Sequence, residues 1–342
     1  MAERMSGATH PTLLLAGDQF VLNRLLAASL APGVWDVRTL ELPWPHVPFG
    51  KVSEVDEASD VEAELIVALQ GVRVCLTQMA PLTSRVLEAC PDLELFAVSR
   101  GGPVNANLAA ATEHGVAVTF APGRNAESTA EHTIGMMLAA MRRIPVAHNS
   151  VVAGKWESSM YAYAETGLEV AGSTIGLVGA GAIGSRVAAA LRAMGATVLV
   201  ADPYAGVDSV PLDELLAQST VVSLHARLTD ETRGMIGERE LALMPEGSVL
   251  VNCARGGLLD YHALAKALSN GHLFAAALDV YDEEPLPAGH PLRSAPNVVM
   301  TPHLAGASRA VAARAARMVG VEAARWLAGE RPLHCANPEV LK

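Results

Sequence analysis

The sequence predicts an α/β protein built from two doubly wound parallel sheets, each covered by helices on both faces. Short apolar runs of strand length alternate with segments of helical periodicity along most of the 342 residues. Hydrophobic residues make up 51% of the chain but aromatic residues only 4%, so Ala, Val and Leu must fill the core, as is typical of such sheets. The length is sufficient for two domains with full-sized cores.

The first part of the chain contains predicted strands and helices in alternation. The strands are predicted at 12–16, 35–40, 72–76, 93–98 and 116–119. The helices are predicted at 20–30, 61–69, 84–89 and 105–114. A longer helix is predicted at 127–143, and we expect Ile144-Pro145 to end it.

The alternation continues in the second part of the chain. Strands are predicted at 174–178, 197–201, 221–224, 248–252, 274–279 and 298–300. Helices are predicted after the turn that follows residue 178, and at 212–217, 261–270 and 307–327. The segment 151–170, which carries Trp156, Tyr161 and Tyr163, has a mixed pattern that predicts no regular element.

A glycine-rich turn follows the strand at 174–178 and has the spacing Gly179-x-Gly181-x-x-Gly184. Gly179 permits a sharp turn, Gly181 leaves room for a pyrophosphate against the backbone, and Gly184 lets the helix approach the strand. The helix N-terminus offers N–H groups and a positive dipole end to phosphates. Asp202 ends the next strand, where a carboxylate accepts hydrogen bonds from ribose hydroxyls. The context predicts a Rossmann-like NAD site, whereas a chance glycine cluster is the simpler alternative.

Charge, cysteine usage and hydropathy limit the other classes of function. The net charge of −11 argues against a broad nucleic-acid or anionic-membrane surface. Cys75, Cys90, Cys253 and Cys335 are scattered without a C-x-x-C pair, which favours reduced thiols over a disulfide framework or a metal site. The N-terminal residues 1–10 are polar, and no apolar run is long enough to span a bilayer. We therefore expect a cytoplasmic protein with no metal, no membrane and no nucleic-acid partner.

Ligands of open α/β sheets bind beyond the carboxyl ends of the strands, so polar residues that follow strands are candidate site residues. The predicted strand ends place there Arg100, His225, Asn252 to Arg255, Asp279 and His303.

Three motifs carry most of these residues: Val-Asn-Cys-Ala-Arg-Gly-Gly at 251–257, Ala-Leu-Asp-Val-Tyr-Asp-Glu-Glu-Pro at 277–285 and Thr-Pro-His-Leu-Ala-Gly at 301–306. Together with the glycine turn they resemble the D-isomer-specific 2-hydroxyacid dehydrogenases, a family that includes phosphoglycerate dehydrogenases, glyoxylate/hydroxypyruvate reductases and D-lactate dehydrogenases. The resemblance covers nearly the whole chain and is strongest over 123–306.

The resemblance implies three catalytic residues. His303 is expected to exchange the proton of the hydroxyl or carbonyl oxygen, since an imidazole titrates near neutral pH. Glu284 is expected to orient and charge that imidazole, and Arg255 to bind the substrate carboxylate and carbonyl. Formate dehydrogenases of similar fold carry Gln in place of this Glu, so Glu284 favours hydroxyacid chemistry. Taken singly, each residue has a simpler reading as a surface charge, a solvated acid or a loop histidine.

The resemblance also implies contacts with NAD. Asp279 is expected to contact the nicotinamide amide, Cys253 and Ala254 to border that ring, and Ala182-Ile183 to offer N–H groups to the pyrophosphate. His225-Ala226-Arg227 is expected beside the adenosine, although the family usually has Pro where Arg227 stands. Arg227 would favour a 2′-phosphate, but the carboxylate of Asp202 opposes one, so NAD is favoured over NADP. Asp279 as an ordinary strand end and Cys253 as a packing residue remain alternatives.

The first domain is expected to supply the substrate loops. Gln78 lies in one of them, and Arg100, Gly101 and Gly102 lie in another, whose backbone N–H groups hold the substrate carboxylate in the family. Arg100 departs from the family, in which many members have a small residue at this position. One hypothesis is that Arg100 binds a second anionic or polar group; the alternative is that it pairs with an acid or points to solvent.

The implied architecture has a discontinuous substrate-binding domain, 1–121 and 307–342, and an NAD-binding domain, 122–306, with a cleft that closes during hydride transfer. The helix at 127–143 and the segment from Trp156 to Tyr163 resemble the contacts of a homodimer. The expected function is an NAD-dependent oxidoreductase that interconverts a D-2-hydroxy acid and a 2-oxo acid. The alternative is an NAD(H)-sensing binding protein on the same fold, similar to the C-terminal-binding-protein corepressors.

Overall fold

The computed structural model describes residues 10–44, 50–204, 206 and 208–341, so most of the polar N-terminal stretch discussed above lies outside the described residues. The strands are β1 (Thr12–Gly17), β2 (Asp36–Glu41), β3 (Val74–Thr77), β4 (Leu95–Val98), β5 (Ala117–Thr119), β6 (Thr174–Val178), β7 (Thr197–Ala201), β8 (Val221–Leu224), β9 (Ser248–Asn252), β10 (Leu273–Leu278) and β11 (Val298–Met300). The α-helices are α1 (Asn23–Ala27), α2 (Glu62–Ala68), α3 (Ser84–Ala89), α4 (Leu108–Glu113), α5 (Ala126–Met141), α6 (Ile144–Val152), α7 (Gly184–Ala193), α8 (Leu212–Gln218), α9 (Glu238–Leu243), α10 (Tyr261–Ser269) and α11 (Arg309–Leu327).

The chain divides into two compact units. Unit 1 comprises Met1–Asn125 and Ser308–Lys342, and unit 2 comprises Ala126–Ala307. The roles predicted for the two domains, substrate binding and NAD binding, stay predictions at this level of description.

Unit 1 contains a five-stranded parallel sheet in the order β2-β1-β3-β4-β5. Successive residues of β1 point to opposite faces, as a strand requires. Leu13 and Leu15 pack in one core with α1 and α11, whereas Leu14 and Ala16 pack in another with α2, α3 and α4. This two-sided burial explains why the strand reads as a continuous apolar run.

Unit 2 contains a six-stranded parallel sheet in the order β11-β10-β9-β8-β6-β7. Leu224, Leu250 and Leu278 face one core with helices α8 to α10. Leu177 and Val251 face the other core, which includes residues of α5 and α7. Chain order reverses direction on the two sides of β6, so a topological switch point lies at the carboxyl ends of β6 and β8. The predicted fold class, two doubly wound parallel sheets, is confirmed.

The helix boundaries show where local sequence patterns are ambiguous. Pro145 was expected to end the long helix, but α5 ends at Met141 and the proline lies in the first turn of α6. Arg143 adopts the left-handed conformation between the two helices, with φ 53°. A proline has no N–H to donate and is therefore well suited to a helix start. The helix α9 was not predicted, because Leu241 is its only buried residue and gives no periodic signal.

No helix within the described ranges combines the length and apolar character that a bilayer span requires.

Candidate active site

The glycine turn joins β6 to α7 by close backbone packing. Gly179 has φ 102°, a conformation that side chains rarely permit. A Cβ atom on Gly184 would lie 2.3 Å from the carbonyl oxygen of Gly179, so a glycine is required for the helix to start here. A Cβ on Gly179 would lie 2.8 Å from the backbone of His225 and Ala226, which places the end of β8 directly against the turn.

Gly181, unlike Gly179 and Gly184, is not closely packed. A Cβ atom built on it would meet no atom within 4 Å, so the turn leaves open space on this side. Among the described residues, the N–H groups of Ala182 and Ile183 find no protein acceptor. Open space, unused donors and the N-terminus of α7 together fit the pyrophosphate of a dinucleotide.

Asp202 follows β7 and ties that strand end to the turn. One carboxylate oxygen accepts the N–H of Ala180 at 2.8 Å, and the other accepts the N–H of Tyr204 at 2.9 Å. Each oxygen retains a second lone pair. The carboxylate therefore lies beside the glycine turn, which is where the sequence predicted an acceptor for a ribose hydroxyl.

The segment after β8 combines an enclosed histidine with an exposed arginine. The Nε2 atom of His225 lies 3.0 Å from the hydroxyl oxygen of Ser223. Burial lowers the pKa of His225 to about 4, so its ring is neutral at pH 7. Arg227 is exposed and its backbone oxygen accepts a hydrogen bond from Thr232.

His303 and Glu284 form a hydrogen-bonded pair, with 2.9 Å between Nδ1 of the imidazole and Oε2 of the carboxylate. The side chain of His303 is half exposed and that of Glu284 is 28% exposed. Among the described residues, the Nε2 atom of His303 has no hydrogen-bond partner.

The surroundings of this pair set its charge state. The hydrogen bond from Glu284 raises the pKa of His303 above its usual value, and the negative charges of Glu284 and Asp279 add to the effect; burial and the positive charge of Arg255 oppose it. Burial acts to raise the pKa of Glu284, but His303, the N–H of Tyr281 and the charge of Arg255 outweigh it, and the net pKa is lowered. His303 therefore stays protonated, and Glu284 stays ionised, over a wider pH range than the same groups would free in water.

Arg255 follows β9 and lies within electrostatic reach of the pair, as its effects on both pKa values show. Its residue is exposed, and Nη1 donates to the carbonyl oxygen of Ala254 at 2.7 Å. Gly256 behind it packs so closely that a Cβ atom would lie 1.7 Å from the carbonyl oxygen of Tyr281. This contact joins the segment that carries Arg255 to the segment that carries Glu284.

Asp279 is fully buried and holds the loop that carries His303. Its Oδ1 accepts the N–H of Leu304 at 2.8 Å and the hydroxyl of Thr301 at 2.5 Å. Its Oδ2 accepts the N–H of Ala305 at 2.7 Å. His132 of α5 lies 3.4 Å from Oδ1. The Asp279 carboxylate thus holds the loop at 301–305, and the contact with the nicotinamide amide that the resemblance implies stays a prediction.

Cys253 and Ala254 lie between β9 and Arg255. Cys253 is 5% exposed, and burial raises the pKa of its thiol to about 12, so it is a neutral packing group and not a nucleophile. The N–H of Ala254 donates to Oδ1 of Asn252 at 3.0 Å.

Asn252, a predicted site residue, belongs to a hydrogen-bond network with Tyr261 and Tyr281 to which sequence reasoning assigned no role. Asn252 donates from Nδ2 to the carbonyl oxygen of Arg255 and to the hydroxyl of Tyr261, which in turn donates to the carbonyl oxygen of Val280. The hydroxyl of Tyr281 donates to the carbonyl oxygen of Thr301 at 3.1 Å. A buried Asn at the end of an apolar strand, followed nine residues later by Tyr in a helix start, was the available signal.

The residues predicted to bind substrate in unit 1 lie at the carboxyl edge of its sheet. Gln78 follows β3 and is 7% exposed. Arg100 follows β4, and its guanidinium contacts the carboxylate and the carbonyl oxygen of Glu57, as well as the sulfur of Met79. Of the two readings considered for Arg100, the pairing with an acid describes this structure. Gly101 and Gly102 are open, since a Cβ on either would meet no atom within 4 Å.

In the described part of the chain, no cluster of three or more His, Cys, Asp and Glu side chains is arranged to hold a metal ion.

A dinucleotide-binding turn and an imidazole–carboxylate pair in one Rossmann unit are typical of nicotinamide-dependent oxidoreductases. Comparison with known families agrees. Residues 134–305 match the model described as "D-isomer specific 2-hydroxyacid dehydrogenase, NAD binding domain". The chain belongs to the D-isomer specific 2-hydroxyacid dehydrogenase family.

Individual relatives give the same result. The chain is 39% identical over 270 residues to a glyoxylate reductase of Korarchaeum cryptofilum, covering 77% of this chain and 81% of the relative. It is 40% identical over 244 residues to a D-3-phosphoglycerate dehydrogenase of Archaeoglobus fulgidus, covering 69% of this chain but 46% of that longer protein. Among solved structures, an NAD-dependent formate dehydrogenase from Staphylococcus aureus in complex with NAD superposes with a TM-score of 0.70 and 28% identity, covering 93% of this chain and 96% of that one.

These matches confirm that the protein is an oxidoreductase and that its cofactor is NAD. The roles of individual residues toward that cofactor stay predictions.

A pair of glycine substitutions tests the placement of NAD. Gly181→Ala adds a methyl group in open space, so we expect an unchanged melting temperature but an NADH dissociation constant raised at least about tenfold, because the methyl group would meet the pyrophosphate. Gly184→Ala is the matched control: its methyl group collides with the backbone of Gly179, so the melting temperature itself should fall. Fluorescence titration with NADH and thermal melts measure both. Wild-type NADH affinity in Gly181→Ala would place the dinucleotide elsewhere.

Proposed function

We propose that this protein is an NAD-dependent oxidoreductase that interconverts a D-2-hydroxy acid and a 2-oxo acid. The observation that carries the proposal is the pair of His303 and Glu284, 2.9 Å apart, with Arg255 within electrostatic reach. Membership of the family supports the reaction class. The two relatives named above, a glyoxylate reductase and a D-3-phosphoglycerate dehydrogenase, support small 2-oxo acids as the substrate class.

His303 holds the proton that the reaction exchanges. In the reducing direction its Nε2–H donates to the carbonyl oxygen of the substrate and transfers the proton as that oxygen gains negative charge. In the oxidising direction the neutral ring accepts the hydroxyl proton at the same atom. Glu284 fixes the ring through Nδ1 and stabilises the imidazolium. When bound, NADH supplies the hydride for the carbonyl carbon, and NAD⁺ accepts it in reverse.

Arg255 supplies the positive charge that a 2-oxo acid requires. A planar guanidinium matches two neighbouring oxygens, so it can hold the carboxylate and polarise the carbonyl at once. Since its Nη1 already donates to the carbonyl oxygen of Ala254, the orientation of the guanidinium is partly set before substrate arrives. That preorganisation reduces the ordering cost of binding.

The alternative function, an NAD(H)-sensing binding protein, is not favoured. The relatives found are enzymes by name.

A substrate panel tests the proposed reaction. We expect NADH oxidation, followed at 340 nm, with one or more of glyoxylate, hydroxypyruvate, pyruvate and phosphohydroxypyruvate. His303→Gln should lower kcat/KM about 10²- to 10⁴-fold, because the general acid is lost while NADH binding remains. Equal turnover in the wild type and His303→Gln would refute the role of His303. Tight NADH binding without turnover of any acid would support the sensor.

The pH profile tests the role of Glu284. The reducing reaction requires protonated His303, so its rate falls as pH rises through the raised pKa of that imidazole. Glu284→Gln removes the group that raises this pKa, so the fall should occur at lower pH. The oxidising reaction requires the neutral imidazole, so its rate increases with pH. In Glu284→Gln this increase should also occur at lower pH than in the wild type. Glu283→Gln, at the exposed neighbouring acid, is the matched control. An unshifted profile in Glu284→Gln would contradict the pairing.

We infer further that the protein forms a homodimer through α6 and the segment that follows it. The supporting observation is a row of exposed apolar side chains: Val151 (59%), Val152 (72%), Trp156 (85%), Tyr161 (90%) and Tyr163 (99%). Several large apolar side chains exposed within one short segment favour an interaction site there. A cytoplasmic location is part of the same proposal, supported by four cysteines that form no disulfide.

Light scattering after gel filtration tests the dimer. The wild type should have twice the mass of one chain, and Val152→Glu with Trp156→Glu should shift it to the monomer, because charges would be buried at the interface. Val67→Glu, at an exposed valine of α2 in unit 1, should leave the dimer intact. A monomeric wild type would rule out this assembly.

A further inference from the structure

The N-terminus of α7 has free N–H groups that its own side chains do not compensate. The residue before the helix, Ile183, provides no side-chain hydrogen bond, and the first turn of α7 contains no acidic residue. Within the part of the chain that the structure describes, the N–H groups of Ala182 and Ile183 have no acceptor. A helix start of this kind favours an anion from outside the protein, and the pyrophosphate of NAD is one.

The first turn of α7 carries a cation, Arg186, whose guanidinium contacts the glycine turn. Its Nη1 atom donates to the carbonyl oxygen of Ala182 at 2.6 Å. In a regular α-helix this carbonyl would accept the backbone N–H of the residue four positions later, which is Arg186 itself. Here that N–H donates to the carbonyl oxygen of Ile183 at 3.0 Å. The side chain of Arg186 therefore supplies the hydrogen bond that the backbone does not.

The peptide group between Ala182 and Ile183 connects this contact to the open side of the turn. The peptide bond is trans, so its C=O and its N–H point in opposite directions. The carbonyl end is held by the guanidinium, and the N–H end, which belongs to Ile183, has no acceptor among the described residues. A charged donor at the carbonyl polarises the amide, so its N–H becomes a stronger donor.

A second helix holds the guanidinium in place. The Nη2 atom of Arg186 lies 2.9 Å from Oε1 of Glu127, in the first turn of α5. Both side chains are 44% exposed, and a surface ion pair of this kind contributes little to stability by itself. Together with the bond to Ala182 it fixes the orientation of the guanidinium. Glu127, Ala182 and Arg186 all belong to unit 2.

We propose that Arg186 is a positioning residue for NAD. It fixes and polarises the peptide group between Ala182 and Ile183, so that the N–H of Ile183 binds the pyrophosphate more tightly, and its positive charge favours the same anion. The sequence analysis assigned no role to Arg186. The proposal requires the pyrophosphate and unit 2 alone, so it is independent of the 2-oxo acid reaction proposed above.

A purely structural role for Arg186, as a brace between α5 and α7, makes a different prediction. Loss of a brace would lower the melting temperature and would weaken ligands with and without phosphates equally. ADP and adenosine distinguish the two roles, because ADP contains the diphosphate and adenosine lacks it. Fluorescence titration of the full chain with NADH, and displacement of NADH by ADP or adenosine, give the three dissociation constants.

We expect Arg186→Met to raise the dissociation constants of NADH and ADP about three- to tenfold, with that of adenosine changed less than about twofold. The exposure of the guanidinium limits the effect, because solvent and salt screen its charge. Arg186→Lys keeps the charge and should recover part of the affinity. Arg192→Met removes the same charge from an exposed position in the last turn of α7 and should leave all three constants unchanged.

The amide resonance of Ile183 tests the polarisation directly. In ligand-free protein labelled with ¹⁵N-isoleucine, this resonance should shift in Arg186→Met, because the hydrogen bond at the preceding carbonyl is lost. The shift should be smaller in Arg186→Lys and absent in Arg192→Met.

Three results would overturn the proposal: unchanged ADP affinity in Arg186→Met, an equal loss for ADP and adenosine, or an unshifted Ile183 resonance. Arg186→Gln, which is also neutral, provides the same measurements if Arg186→Met does not fold. Gly181→Ala identifies the reason for a failure. If it weakens NADH while Arg186→Met does not, the turn binds the pyrophosphate without Arg186; if neither weakens NADH, the dinucleotide lies elsewhere.

Discussion

The candidate active site depends on one buried carboxylate. Asp279 is removed from solvent, and its two oxygens receive the backbone N–H groups of Leu304 and Ala305 and the hydroxyl of Thr301. A carboxylate satisfied by backbone donors in a low-dielectric interior is costly to disturb. It holds the loop in which His303 takes a φ of 54°, which an unconstrained chain would relax. Asp279 thus positions His303, for which we propose the role of general acid, by holding its loop.

Glu284 and Arg255 act in opposite directions on the pKa of His303. Glu284 stabilises the imidazolium of His303, whereas Arg255 destabilises it, and both act within the same small region. Arg255, for which we propose the role of binding an anionic substrate, therefore lowers the affinity of His303 for its proton. On that proposal, a bound substrate carboxylate would offset the positive charge of Arg255, and substrate binding would favour protonated His303.

Sequence alone predicted those parts of the structure that are determined by local pattern. The strands β8, β9 and β11 were predicted at their observed bounds, because apolar runs bounded by polar residues leave few alternatives. The helix α6 was not predicted. Pro145 is compatible with both a helix end and a helix start, and tertiary packing decides between them. In the site, His303 and Glu284 were predicted as a pair by motif, but the partner of Arg100 could not be, because Glu57 lies 43 positions away in an irregular loop. The Nε and Nη1 atoms of Arg124 are buried without a hydrogen-bond partner among the described residues. This could not be predicted, because burial depends on tertiary packing and not on a local sequence pattern.

The interrupted path of unit 1 has a consequence during synthesis. Leu13 and Leu15 are covered by α11, whose residues Ala315 and Val319 are made about 300 positions later. Unit 2, Ala126–Ala307, is continuous and can complete its sheet as soon as β11 leaves the ribosome. One face of the unit 1 sheet therefore remains uncovered until α11 is synthesised, whereas unit 2 can fold before that point. The cofactor-binding unit can thus be ready for NAD before the core between the unit 1 sheet and α11 is complete, and NAD bound at that stage would act as a folding ligand for the nascent chain.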